Sequence, residues 1–277
     1  MSDLIPLGIH FGLEDSVYRA DPGVAQSSLK LAKYSMNHCR CSVDGEAENE
    51  DSEARAFGRA FHAMMLQPHL YDSLFVVAPD GYDGRTKAGK DWKAEHTKGG
   101  QEVIIPRNGK RLAGMKERLL ANRVFREAYE SCDLEVSMFH EANTPFGPVR
   151  VKGRPDIIPK EGRCIVDLKK TTLGKAHPDT WSNEAAKLGY HIQAPYYIDI
   201  FNAITSSSRD LFIHFAVEDV PPYEVGIIKF EQDDMEPGRV FYQNALLKYA
   251  ECVNSGIWPG YPDHPVKISL PQWAKTL

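Results

Sequence analysis

Asp156, Asp167 and Lys169 are the residues of this 277-residue chain whose types and spacing bear most directly on chemistry. Asp156 and Asp167 lie in two apolar, β-branched runs, 149–158 and 164–168, with Lys169 directly after the second; the runs are separated by a short polar turn containing Gly162, which is a hairpin pattern. If the loop is Glu161-Gly162, Lys160 pairs with Arg163, and counting outwards places Asp156 opposite Asp167. A four-residue loop also leaves the acids opposite, whereas an odd-length loop staggers them. Directly opposed residues have Cβ atoms roughly 4.5–5.5 Å apart, so the two carboxylates could share one divalent cation. Side chains alternate along a strand, so Lys169 emerges on the face of Asp167 while Leu168 turns inward and leaves its carbonyl available as a ligand. Two acids and a lysine converging on one point suit metal-assisted phosphodiester hydrolysis.

An isolated Asp-x-Lys is commonly a solvated strand edge. Here both runs are otherwise apolar enough to be buried, and two like charges facing each other in a sheet destabilise it without a counter-charge. A cation together with Lys169 resolves that conflict.

Further candidates come from the neighbouring elements. Gln193 and Tyr197 are spaced i, i+4 on an expected helix over 182–203, so they share a face and could orient a water or a phosphate. His62 falls on an expected helix over 53–67, whose apolar stripe is Ala54, Phe57, Phe61, Met64 and Met65, with Pro68 as its stop. Arg55, Arg59 and His62 share another flank of that helix; a histidine there could ligate a metal or carry protons. Glu135 begins a strand ahead of the hairpin and could add a carboxylate.

The elements that must position these residues read as follows. Residues 1–25 look loosely structured, 27–34 form a short helix with a serine N-cap, and 42–52 form a flexible acidic loop. A short strand covers 74–78. Residues 79–101, rich in Gly and Lys with Tyr82 and Trp92 interleaved, suit a mobile segment that contacts nucleic acid. A basic helix spans 108–129, strands follow at 134–140, 147–158 and 163–170, then the helix over 182–203. A hairpin of 210–217 with 223–230 turns at Pro221-Pro222, and a helix over 233–254 closes the chain. This order indicates an α/β fold with a mixed sheet.

Composition is that of a soluble globular protein, 42% hydrophobic and 26% charged. The start carries no basic region followed by an apolar run, and no apolar stretch is long enough to span a membrane, so a cytoplasmic protein is expected. Five scattered cysteines, 39, 41, 132, 164 and 252, fit free thiols in a reducing compartment. Net charge is −5, but residues 85–126 hold twelve Lys/Arg against four Asp/Glu, a local excess of +8 that leaves −13 for the remainder. A basic segment on an acidic body is the footprint of a phosphate-tracking groove, with Arg85, Lys87, Lys90 and Trp92 as the contacts within it.

Together Gly153-Arg154-Pro155-Asp156, Val166-Asp167-Leu168-Lys169 and Gln193-x-x-x-Tyr197 resemble the PD-(D/E)XK nuclease superfamily and, more narrowly, the RecE-like (exodeoxyribonuclease VIII-type) phage and prophage exonucleases. Ser27-Ser28-Leu29, Gly58-Arg59-Ala60-Phe61-His62 with Leu66-Gln67-Pro68, the run Arg85-Thr86-Lys87-Ala88-Gly89-Lys90, and Glu135-Val136-Ser137 extend the resemblance over residues 25–200. It implies a restriction-endonuclease-like core, with a central mixed β-sheet flanked by helices, in a single nuclease domain over 1–277. That domain would comprise an extension (1–52), a core (53–254) and a tail (255–277). It implies Mg²⁺, with Mn²⁺ as a substitute, held by Asp156, Asp167, the Leu168 carbonyl and His62, with Glu135 near a second ion. Lys169 would position or activate the attacking water, and Gln193 and Tyr197 would support the site. Arg154 joins the DNA-contacting set.

The implied activity is 5′-to-3′ degradation of one strand of linear duplex DNA from its ends. It would be carried out by a homo-oligomeric ring of three or four subunits, serving recombination with a single-strand annealing protein in a bacterial or phage-infected cell. Lys170 stands where relatives often carry threonine. Two other readings are a non-catalytic DNA-binding recombination accessory and a helicase- or CRISPR-associated nuclease of the same superfamily. The latter calls for three cysteines near the C-terminus, where only Cys252 lies downstream of Cys164.

Overall fold

The computed structural model describes residues 4–46, 53–97 and 99–275. In chain order these form β1 (Gly8–His10), α1 (Asp15–Ala20), α2 (Gln26–Leu29) continued by a 3₁₀ turn (Lys30–Lys33), and α3 (Met36–Val43). Then come α4 (Glu53–Leu66), α5 (Pro68–Leu74), β2 (Phe75–Val77), α6 (Lys87–His96), β3 (Glu102–Ile104), α7 (Pro106–Ala121) and α8 (Arg123–Tyr129). The strands β4 (Cys132–Leu134), β5 (Ser137–Ala142), β6 (Val149–Gly153), β7 (Ile157–Pro159) and β8 (Cys164–Thr171) follow in succession. The chain continues through α9 (Pro178–Leu188), α10 (Tyr190–Thr205), β9 (Leu211–Glu218), β10 (Val225–Lys229) and α11 (Gln232–Ser255), with a last 3₁₀ turn at Gln272–Lys275.

The central sheet has the order β10-β9-β8-β7-β4; β8 and β9 are parallel and every other pair is antiparallel. Alternation divides its side chains between two cores. Val166, Leu168, Phe215 and Val217 pack with Phe57 and Phe61 of α4, Leu112, Met115 and Leu119 of α7 and Phe125 of α8. Ile165 and Phe212, on the other face, pack with Ile198 and Phe201 of α10 and Met235 and Leu246 of α11. A sheet covered on both faces needs apolar runs rather than amphipathic strands, which is why β9 reads as a nearly continuous hydrophobic stretch and β8 does so from Cys164 to Leu168, Asp167 apart. The expected α/β class with a mixed sheet between helices is the fold observed. A second sheet, β1-β5-β6, and a parallel pair, β2-β3, complete it.

The helix expected over 53–67 and the closing helix over 233–254 agree with α4 and α11 to within a residue. Other expectations need correction. The single strand over 147–158 is two strands in different sheets, broken at Arg154-Pro155; proline has no N–H for a ladder. The strand over 134–140 also divides, into β4 and β5, at Glu135, whose φ is +49°. The two breaks are bonded to each other, Glu135 N donating to the Asp156 carbonyl at 2.9 Å, so both arms of the β-meander change sheets at one point.

The helix over 108–129 divides at Asn122, whose side chain caps α8 by accepting from Phe125 N. That over 182–203 divides at Gly189, left-handed at φ +73°. Residues 1–25 contain β1 and α1, and the short helix begins at Gln26 behind an Ala25 cap that offers no side-chain acceptor, not behind a serine. Ser35 instead caps α3, whose end occupies the start of the expected acidic loop; residues 47–52 of that loop lie outside the described residues. Pro68 ends α4 and also opens α5. The segment over 79–101 is built around α6, capped by Thr86, whose hydroxyl accepts from Gly89 N; Lys98 lies outside the described residues.

Candidate active site

Ile157 pairs with Val166, the register expected from the Glu161-Gly162 turn, and one further step brings Asp156 level with Asp167. Asp156 lies just ahead of β7, where the ladder has not begun. Its Oδ2 accepts from the Leu168 N–H at 2.7 Å and so replaces the missing strand acceptor. In a strand the N–H and C=O of one residue leave on the same edge, so the Leu168 carbonyl also faces this gap rather than β9. Asp167 is 1% exposed; its Oδ1 accepts from Gln193 Nε2 at 2.9 Å and its Oδ2 is paired with the Lys169 ammonium.

His62 and Glu135 arrive from other elements. One ligand atom each of His62, Glu135 and Asp156 fall within 4.8 Å of one another, and His62 Nδ1 is 3.9 Å from Asp156 Oδ1. Packing of the α4 stripe under β8 brings His62 to the Leu168 edge, and the left-handed turn at Glu135 throws its carboxylate toward the same point. Gln67 Nε2 donates to Glu135 Oε2 at 3.4 Å, and Arg154 lies 3.7 Å from that oxygen. Asp167 stands beside this trio, its oxygens already engaged by Gln193 and Lys169.

The electrostatics are strained. Burial, reinforced by the Asp167 charge, holds the Asp156 carboxyl well above the usual carboxylate range. Burial and then Asp156 raise Glu135. Burial and then Lys169 lower His62. Burial opposes the Lys169 charge too, but Asp167 and Asp156 outweigh it and hold the ammonium above its ordinary value. A mixed imidazole and carboxylate donor set that cannot comfortably ionise without compensation fits a divalent cation such as Mg²⁺ or Mn²⁺.

The cleft over this cluster, about 680 Å³, is also lined by Arg19, Arg59 and Lys170. Residues 25–265 match the family described as a PDDEXK-like domain of unknown function (DUF3799). The chain belongs to this PDDEXK-like family. A solved structure from Eubacterium rectale, a candidate exonuclease, is 16% identical and aligns with a TM-score of 0.63 over 96% of this chain and 99% of that one. A phage-related exonuclease from Haemophilus somnus 129PT is 14% identical over 62% of this chain and 85% of that one, with a TM-score of 0.33. No curated protein matches the sequence.

Within this PDDEXK-like domain the remaining candidates divide into two groups. Gln193 and Tyr197 share the buried face of α10, and Tyr197 packs so closely on Gly153 that an added Cβ there would meet its ring at 3.1 Å. Arg154 is nearly buried: it donates to Ser137 Oγ and the Leu13 carbonyl and lies over the Tyr18 ring. That arginine braces the sheet junction. Arg85, Lys87, Lys90 and Trp92 are on or just before α6 and line no part of the cleft. Arg85 is bound to Asp83, and Trp92 stacks on His96 at 4.3 Å.

Sequence reasoning missed Tyr190, whose ring underlies the Lys169 ammonium. Its spacing three residues before Gln193 was the available signal. Among the described residues no helix is long and apolar enough to cross a membrane.

Proposed function

We propose that this chain is a divalent-metal-dependent DNA nuclease of the RecE-like exonuclease type, degrading one strand of linear duplex DNA from an end, 5′ to 3′. The observation that carries the reading is the convergence of Asp167 and Lys169 of β8 and Asp156 just ahead of β7 with His62 and Glu135, at the floor of a cleft that His62, Glu135 and Lys169 line. His62, Glu135, Asp156 and the Leu168 carbonyl would hold the cation, with Asp167 beside them. When bound, the ion would acidify a coordinated water and neutralise phosphate oxygens.

The side chains divide the remaining work. Lys169, kept protonated by two carboxylates, donates to a phosphate oxygen and stabilises the charge that builds there during attack. Gln193 fixes the Asp167 carboxylate, so that acid and lysine keep their relative placement. Lys170, at the cleft wall, adds positive potential for the DNA backbone. Arg85, Lys87, Lys90 and Trp92 would contact duplex outside the cleft, and a ring turning these basic segments inward would spare DNA the acidic remainder of the surface. Single strands left by such an enzyme suit an annealing partner.

The test is digestion of duplexes labelled separately at each 5′ and 3′ end, with Mg²⁺ or Mn²⁺ and with or without a 5′ phosphate. Early release of the 5′ label is expected, and early release of the 3′ label reverses the polarity. Intact linear duplex with either metal overturns the nuclease reading.

A further inference from the structure

We propose that Tyr190 is a positioning residue for Lys169, its ring forming the platform on which the ammonium rests. The proposal rests on the nuclease reading only where activity is measured. Lys169 Nζ lies 4.9 Å from the centroid of the Tyr190 ring, within the range at which a ring face attracts a cation. Tyr190 opens α10 one turn before Gln193. One helix face thus carries both the ring that bears on Lys169 and the amide that holds Asp167.

The ring is itself fixed. It stacks on Trp181 of α9 at 5.4 Å and 27°, and on His214 of β9 at 5.3 Å and 29°. The left-handed Gly189 turns α9 into α10 and lets Trp181 and Tyr190 meet face to face. His214 is the register partner of Asp167, fully buried, and neither ring nitrogen has a hydrogen-bond partner among the described residues. Phe212 and Phe230 close the remaining sides of the imidazole. Burial holds it uncharged at neutral pH, so it acts as one more ring and not as a second cation near Lys169. Ala216, the register partner of Lys169, has only a methyl group and leaves room for the tyrosine.

A lysine side chain has many rotamers to lose, and an ion pair to Asp167 alone would tie its position to that carboxylate. The aromatic face supplies a second anchor that persists however the Asp167 carboxylate is engaged.

The metal-free protein decides the matter by NMR of the Lys169 ε-methylene, assigned with Lys169→Arg. An upfield ring-current shift is expected in the wild type and in Tyr190→Phe, and its loss in Tyr190→Leu and Tyr190→Met. In cleavage of duplex DNA with Mg²⁺, Tyr190→Phe should stay within twofold of wild type. Tyr190→Leu should lose tenfold or more in kcat with KM changed less than twofold. A wild-type ε-methylene at its free-lysine position overturns the proposal without any variant. So does a folded Tyr190→Leu or Tyr190→Met that keeps the shift or the full kcat. If the wild type cleaves nothing, the nuclease reading fails while the NMR result still decides the platform.

Discussion

The site cleft and the surface around α6 both concentrate charge, and they handle it in opposite ways. At the cleft Asp156 and Asp167 are buried and Lys169 is half-buried, their partners are specific atoms, and burial together with the neighbouring charges displaces the ionisation of Asp156 and Lys169. Around α6 the charges are exposed, and the ion pairs seen there, Arg85 with Asp83 ahead of α6 and Lys110 of α7 with Asp80, lie at the surface. Solvent-exposed pairs of this kind contribute little to stability and are screened by salt. Buried charge fixes geometry at an energetic cost, which suits chemistry; exposed charge is interchangeable and suits binding a polyanion.

Cleft substitutions should therefore produce the largest effects. Asp167→Asn and Lys169→Ala should each lower DNA cleavage by about 10³-fold or more, with unfolding transitions close to wild type, because the loss lies in the transition state. A rate equal to wild type in either variant would erase the contrast with the α6 surface. His62→Ala should cost about 10–100-fold, recoverable in part at higher Mn²⁺, as expected when one donor of several is lost. Wild-type turnover combined with a lowered melting temperature would make His62 a packing residue.

Metal dependence sharpens the same comparison. EDTA should abolish cleavage, and Mn²⁺ should raise the melting temperature of the wild type but not of Asp156→Asn. Calorimetry showing equal stabilisation of both proteins would place the ion elsewhere.

A smaller effect concerns pH. His214 has its pKa pushed down to about 4 by burial, whereas in the unfolded chain it titrates near 6.5. The unfolded state therefore binds more protons below pH 6.5, so stability is complete above that value and falls as pH drops toward 4. The loss should reach about 3 kcal/mol and should be absent from the pH dependence of His214→Leu, measured by urea unfolding. Parallel curves for the two proteins would show that the imidazole titrates normally.

The smallest effects belong to the exposed region. Lys87→Glu with Lys90→Glu should leave stability within about 0.5 kcal/mol. The pair should weaken duplex binding and flatten its salt dependence, with hydrolysis of a very short substrate nearly unchanged. Unaltered binding across a salt titration would move the DNA path to the cleft wall, where Arg19, Arg59 and Lys170 lie.

Asp156, Asp167, Lys169 and their register were legible because everything that sets them is local: one short turn, strict alternation, and a strand partner a few residues away. Gln193 with Tyr197 was legible for the same reason, as helical spacing alone puts them on one face. The α4 stripe and the closing helix followed from periodicity.

What the sequence did not reveal is where the chain changes sheets. The breaks at Glu135 and Arg154-Pro155 read as continuous strands because their flanks are equally apolar. Only the pairing of β5 with β1 and of β6 with Val24, distant in the chain, moves those segments into a second sheet. That switch opens the gap at Asp156 and turns Glu135 into it. Packing of α4 beneath β8 then brings in His62, and the left-handed Gly189 brings Tyr190 over Lys169. Spacing therefore determined by itself the acids, the lysine and the shared face of Gln193 and Tyr197. The arrival of His62, Glu135 and Tyr190 beside them was decided by tertiary structure, since it depends on contacts that close long loops.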